Sequence, residues 1–192
     1  MQELRELLSD PAKLGDLAGL GEAAQDARGR KACCASLYDS APVRLLLGDT
    51  LHPGGLALTH CLGKLMDIQR DQLVLDIACG RGVSAVAVAR SFHCRVVGVD
   101  LGGESVAAAY LLAAEGNMEG KVSFLQGDGE TLPLSPASFD AALCECSMSL
   151  FPDKVQGMAE IARLLRPGGR LGISDVTVEP GSLPEVLTGA VG

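Results

Sequence analysis

The stretch Val74-Leu75-Asp76-Ile77-Ala78-Cys79-Gly80-Arg81-Gly82, answered by Val97-Gly98-Val99-Asp100, decides the fold. The first run is apolar, of strand length, and closes in small residues. A helix-forming segment follows, and the second apolar run ends in an acid. Strand, glycine turn, helix and strand in that order open an α/β domain with a parallel sheet. The small side chains at Ala78, Gly80 and Gly82 let the backbone turn tightly and approach a ligand. Asp100 lies about 20 residues beyond the turn, the spacing that sets a carboxylate beside a ribose diol. The pattern therefore implies a ligand that contains a nucleoside.

Working outward, strands are expected over 72–78, 95–100, 121–126, 139–145 and 170–176, and helices over 82–91, 103–115, 153–166 and 182–190. This alternation gives a Rossmann-like parallel sheet with helices on both faces, joined by right-handed crossovers. Upstream, residues 1–39 read as an N-terminal arm or cap. A short helix carries Leu4, Leu7 and Leu8 on one side, and Pro11 with several glycines then breaks the pattern. The main domain is expected over 40–192, with a helix to Leu47, a loop at His52-Pro53-Gly54-Gly55 and a second helix to about Met66.

Composition narrows the classes. At 192 residues and 47% hydrophobic content the chain suits one domain, and at 3% aromatic residues with no Trp its core must be aliphatic. A net charge of −8 opposes a phosphate-backbone partner, and few aromatics leave little to stack on single strands, so no nucleic acid is expected. The N-terminus has neither the basic nor the apolar region of a secretory signal, and no stretch reads as a membrane span. Seven cysteines, an odd number, point to reduced thiols and a cytoplasmic setting rather than a disulfide framework.

The nucleoside ligand can be specified further. A dinucleotide fingerprint needs a third glycine three residues after the second; Val83 stands there, and the small residue falls early, at Gly82. Asp76, just before the turn, would repel a pyrophosphate but suits a ligand bearing a cationic amino group or a sulfonium. S-adenosylmethionine carries both. The D-x-[GA]-x-G-x-G turn and the acid after the second strand resemble those of the class I methyltransferases.

That resemblance implies roles residue by residue. Gly80 and Gly82 would underlie the methionine portion, with the helix N-terminus toward its carboxylate, and Asp76 would face the amino group. Asp100 would take the ribose hydroxyls. In Gln126-Gly127-Asp128-Gly129, Asp128 would take the adenine amino group and the Gly129 N–H a ring nitrogen. Ala78, Leu101 and Glu145 complete the expected cofactor set. Arg163-Leu164-Leu165-Arg166-Pro167-Gly168-Gly169-Arg170-Leu171 matches the family's R-x-L-[RK]-P-G-G-x-L and is architectural: helix end, glycine turn, strand start. The family's sheet has seven strands and the resemblance accounts for five. The chain is thus expected to be truncated after the fifth strand, leaving 170–176 an edge for a dimer mate, the N-terminal arm or a missing C-terminal segment to cover.

Cys146-Ser147-Met148-Ser149-Leu150-Phe151-Pro152-Asp153-Lys154 resembles, more narrowly, the arsenite methyltransferases, in which thiolates hold trivalent arsenic. Cys146 is the matching position. Cys144, two residues away, would share its face if the strand extends that far, and Cys33, Cys34 or Cys61 could replace thiols that the family carries elsewhere: Asp49 stands in one such place. The ordinary fate of a free cysteine is a small core residue, which is the reading for Cys61, Cys79 and Cys94. No metal site is expected. His52 could serve as base or cofactor neighbour; an exposed loop histidine is the plainer reading. The leading expectation is methylation of arsenite or a similar thiophilic small molecule. The alternatives are a methyltransferase for a small organic acceptor, with His52 or Glu145 as base, and a catalytically silent cofactor-binding module.

Overall fold

In the computed structural model, which describes Gly29, Lys31 and residues 52–177, the run that decides the fold is the central strand of the sheet. The elements in chain order are α1 (Gly55–Leu65), β1 (Leu73–Ile77), α2 (Val83–Phe92), β2 (Arg95–Asp100), α3 (Gly103–Glu115), β3 (Val122–Gln126), β4 (Phe139–Glu145), a single 3-10 turn (Met148–Leu150), α4 (Lys154–Leu164) and β5 (Leu165–Ser174). The strands form one sheet in the order β3-β2-β1-β4-β5, with every pairing parallel. This is the Rossmann-like methyltransferase architecture that the sequence implies. The expected arm and domain boundary at 39/40, the helices before His52 and the helix at 182–190 lie outside the described residues.

Alternation along each strand divides the core. Val74, Val96, Val122, Phe124, Ala141 and Leu143 pack under α1, α2 and α3. Leu75, Ile77, Val99, Phe139, Ala142 and Cys144 pack on the opposite side with Ile161 and Leu164 of α4. With both faces covered, the strands can be almost continuously apolar, as β1 and β4 are. Asp76 is the exception inside β1. The chain leaves β1 toward β2 and β3, then returns across to β4 on β1's other side. The strand ends diverge at that switch, opening a crevice at their carboxyl edge.

Three boundaries differ from the expectation by two residues or more, among them the end of β5 at Ser174 rather than 176. α4 ends at Leu164 rather than 166, and β5 begins at Leu165 rather than 170. Leu165 pairs with Phe139 and Arg170 with Ala141, so Arg166-Pro167-Gly168-Gly169 bulge out of the ladder between them, with Gly168 at φ 80°. The strand begins before the turn residues rather than after them. Among the described residues β5 pairs only with β4.

Gly82 shows why the turn sequence is so confined. It sits at φ 78°, in the left-handed region, and a Cβ there would stand 2.6 Å from Phe124 Cζ and 2.8 Å from the Ala109 Cβ. It is the close-packing glycine that joins α2 to the sheet and α3, the role that a dinucleotide fingerprint gives to its third glycine. Gly98 is equally tight: a Cβ would stand 2.6 Å from Phe124 Cδ1 and 2.8 Å from Cys79 Sγ. Gly82→Ala and Gly98→Val should each destabilise the domain by about 1–3 kcal/mol through strain and overpacking. Chemical denaturation monitored by circular dichroism measures this, with Gly120→Ala, whose Cβ would meet nothing within 4 Å, as the neutral control.

Candidate functional site

The crevice is an open cleft whose empty space, the solvent at its mouth included, is about 1070 Å³. Its wall follows the carboxyl ends of three neighbouring strands. Asp76, Ala78 and Gly80 come from the end of β1, Asp100 and Leu101 from β2, and Gly127, Asp128 and Gly129 from the loop after β3. Glu145, Cys146 and Ser147 enter from β4 on the other side. Of the expected cofactor set, Gly82 alone is not in the wall; it lies behind it in the packing just described.

Asp76 is 2% exposed, and its Oδ2 is buried with no hydrogen-bond partner. Burial raises its carboxyl well above the usual range, and the charges of Glu145 and Asp100 raise it further. Desolvation and like charges both disfavour the ionised form, and a cation in the cleft would reverse both effects. Asp100 is held in place: Oδ2 accepts from the Gly80 N–H at 2.8 Å and Oδ1 from the Gly102 N–H at 2.8 Å. The N-cap position of α3 is Gly102, two residues beyond Asp100.

His52 corrects an expectation. It is 4% exposed, not a solvent-facing loop residue. Its Nε2 lies 3.2 Å from Ser84 Oγ and 3.5 Å from Glu145 Oε2. Thr59 Oγ1 donates to Glu145 Oε2 at 2.9 Å. The loop before α1, α1 itself, the first turn of α2 and the end of β4 thus meet in one buried polar cluster beside Asp76. Thr59 and Ser84 escaped sequence reasoning, because each reads as an ordinary helix residue.

The thiols separate. Cys144 is fully buried, faces Ser147 Oγ at 3.0 Å and lies outside the cleft; burial pushes its thiol up to about 11. Cys146 does line the cleft. β4 ends at Glu145, and Cys146 adopts φ 50°, which turns the chain so that the shared face expected of positions i and i+2 is lost. Burial, then Asp175 and Glu145, also raise the Cys146 thiol. Cys79 and Cys94 are core residues as expected, whereas Cys61 is exposed on α1. Cys33 and Cys34 lie outside the described residues. No cluster of metal-binding groups occurs among the described residues.

Two further wall residues have no precedent in the sequence reading. Phe151 fills the space beside Gly129 and Gly157, where a Cβ would stand 2.6 and 2.5 Å from its ring. Its signal was its rarity: four phenylalanines in 192 residues, one of them just past the fourth strand. Lys31 bonds to Asp128 Oδ2 at 2.6 Å and to Glu130 Oε2 at 2.5 Å. Nothing in its local sequence marks it.

Comparison with known proteins agrees with this geometry. Residues 74–169 match the family described as "Methyltransferase domain". The chain is 34% identical over 140 residues to the O-methyltransferase rstn1 of Aspergillus nomiae, covering 72% of this chain and 62% of that protein. It is 36% identical to the methyltransferase GfsG of Streptomyces halstedii, covering 74% and 51%. It therefore spans about half to three-fifths of the length of these relatives. Phosphoethanolamine N-methyltransferase 2 of Haemonchus contortus, solved in complex with S-adenosyl-L-methionine, shares the fold at a TM-score of 0.74 and 23% identity, over 84% of this chain and 40% of that one. By sequence match and by fold, the chain belongs to the methyltransferase domain family.

Proposed function

We propose that this chain is an S-adenosylmethionine-dependent methyltransferase acting on a small organic acceptor, most simply a hydroxyl group. The observation that carries the reading is the orphaned Asp76 Oδ2, buried at the inner end of a cleft whose wall continues to Asp100 and Asp128. A buried carboxylate with no partner is costly, and a cationic amino acid portion answers it. S-adenosylmethionine fits this wall: Asp76 would hold the amino group, with Ala78 and Gly80 under the methionine portion. Asp100 beside Leu101 would hold the ribose, and Asp128 with Gly129 the adenine. When bound, it supplies an electrophilic methyl group on a sulfonium.

The chain's own residues supply the rest. A hydroxyl must lose its proton as oxygen takes the methyl group. The His52–Glu145 pair lines the cleft and is the base on hand, with the proton passing to the imidazole and Glu145 stabilising the cation formed. Thr59 and Ser84 fix both partners. The acidic chain and the lack of any described helix long and apolar enough to cross a membrane agree with a small-molecule acceptor. The named relatives, described as an O-methyltransferase and a methyltransferase, favour an organic acceptor over arsenite. The thiophilic reading retains one specific support, Cys146 in the cleft wall. Cys144 does not join it there.

Asp76→Asn should weaken binding of S-adenosylhomocysteine about 10- to 100-fold by calorimetry, since a charge-assisted bond is lost. The same substitution should raise the ligand-free melting temperature at neutral pH by about 2–6 °C. The sign follows from the raised carboxyl of Asp76. Its stabilising neutral form is fully present below the unfolded value of about 4 and is lost as pH rises through the folded value, so the advantage of Asn should vanish in acid. Unchanged binding by Asp76→Asn would remove the basis of the proposal. For the acceptor, His52→Ala should lower kcat about 10²- to 10⁴-fold on a hydroxyl substrate and leave cofactor affinity within about threefold. If Cys146→Ser abolishes turnover of arsenite with thiol while His52→Ala does not, the thiophilic reading replaces it.

A further inference from the structure

Lys31 is 97 residues from Asp128 in sequence, yet its ammonium sits between two carboxylates at the nucleoside end of the cleft. Asp128 accepts from it through Oδ2, and Asp128 Oδ1 accepts from the Glu130 N–H at 3.0 Å. Glu130, whose side chain is 10% exposed, takes Lys31 on Oε2 and the Asp153 N–H on Oε1 at 2.8 Å. The Glu130 carboxylate is therefore anchored by the backbone before α4. Asp128, with its side chain 39% exposed, is the freer of the two.

Without the cation between them, the two carboxylates would repel, and the more exposed one would swing to solvent. With it, both oxygens of Asp128 are engaged and its orientation is set. Burial alone would lower the Lys31 ammonium, but its bonds to Asp128 and Glu130 outweigh that and hold it above the ordinary lysine range. It stays charged. The ends of β1, β2 and β3 lie side by side, about 4.8 Å apart. A ligand with its amino group at Asp76 and its ribose at Asp100 therefore brings its base to Asp128.

We propose that Lys31 is a positioning residue for nucleobase selection: by clamping Asp128 against the Glu130 anchor, it keeps the Asp128 carboxylate turned to accept the exocyclic amine of adenine. This rests on the cofactor reading above and adds to it a contribution from a part of the chain that precedes the sheet. A lysine that merely fastened the N-terminal region would affect melting temperature and all ligands alike. A positioning lysine affects the distinction between a 6-amino and a 6-oxo purine.

The test is calorimetric binding of S-adenosylhomocysteine and S-inosylhomocysteine to the whole chain and to Lys31→Met, Lys31→Arg and Asp128→Asn, with melting temperatures followed alongside. The unsubstituted protein is expected to prefer the adenosyl ligand by about tenfold or more. Lys31→Met and Asp128→Asn should bring that preference within about threefold, and Lys31→Arg should restore most of it. If Lys31→Met keeps the full preference, whether or not it melts earlier, Lys31 is a fastener and the proposal is overturned while the cofactor reading stands. Equal binding of both ligands by the unsubstituted protein removes the Asp128 role and the proposal with it. Binding of neither removes the cofactor reading itself. Should Lys31→Met not fold, the arginine variant decides: loss of the preference with the charge retained overturns the clamp.

Discussion

The structure turns on a carboxylate in the wrong solvent. Asp76 lies within the central strand of a sheet covered on both faces, between Leu75 and Ile77 along the strand and beside Leu143 across it. Glu145 and Asp100 add like charge to the same region. An isolated domain selected for stability alone would carry an apolar residue or an amide at this position. Keeping three acids around one crevice lowers the stability of the empty protein and raises its attraction for a cation, a trade expected of a binding site. The flanking geometry serves this arrangement. Gly80 brings its backbone N–H to Asp100, and Gly82 lets α2 pack closely behind the turn.

What could be read from the sequence was what short spacing encodes. β1, the glycine turn and Asp100 lie within about one strand-helix-strand unit, so local pattern fixes their relation. Asp76, Ala78, Gly80, Asp100, Leu101, Asp128, Gly129 and Glu145 all reach the cleft. Contacts that depend on distant parts of the chain were not readable. The Lys31 clamp, the burial of His52 against Ser84 and Glu145, and the packing of Phe151 on Gly129 each join segments whose separate patterns are ordinary. A turn can also defeat a correct periodicity. Cys144 and Cys146 are spaced to share a strand face, but one residue at positive φ sends them apart. Likewise Pro167 and the following glycines read as the turn between a helix and a strand, when the strand had already begun at Leu165 and bulged around them.

The same divergence bears on the acceptor. Trivalent arsenic needs several soft ligands converging on one point. The described wall offers Cys146 and Cys79, and both thiols are raised, by burial first and then by neighbouring carboxylates, Asp175 and Glu145 for Cys146 and Asp76 and Asp100 for Cys79. Thiolate formation is thus opposed where it would be needed. The opposite holds for a hydroxyl acceptor. Glu145, which works against a Cys146 thiolate, has its Oε2 3.5 Å from His52 Nε2. One carboxylate cannot serve both chemistries equally well. In the proposed reading, its hydrogen bond from Thr59 and its distance to the imidazole suit it to proton transfer. In the proposed reading it is therefore the electrostatics of this end of the cleft, more than the presence of a cysteine in the right register, that favour oxygen as the acceptor.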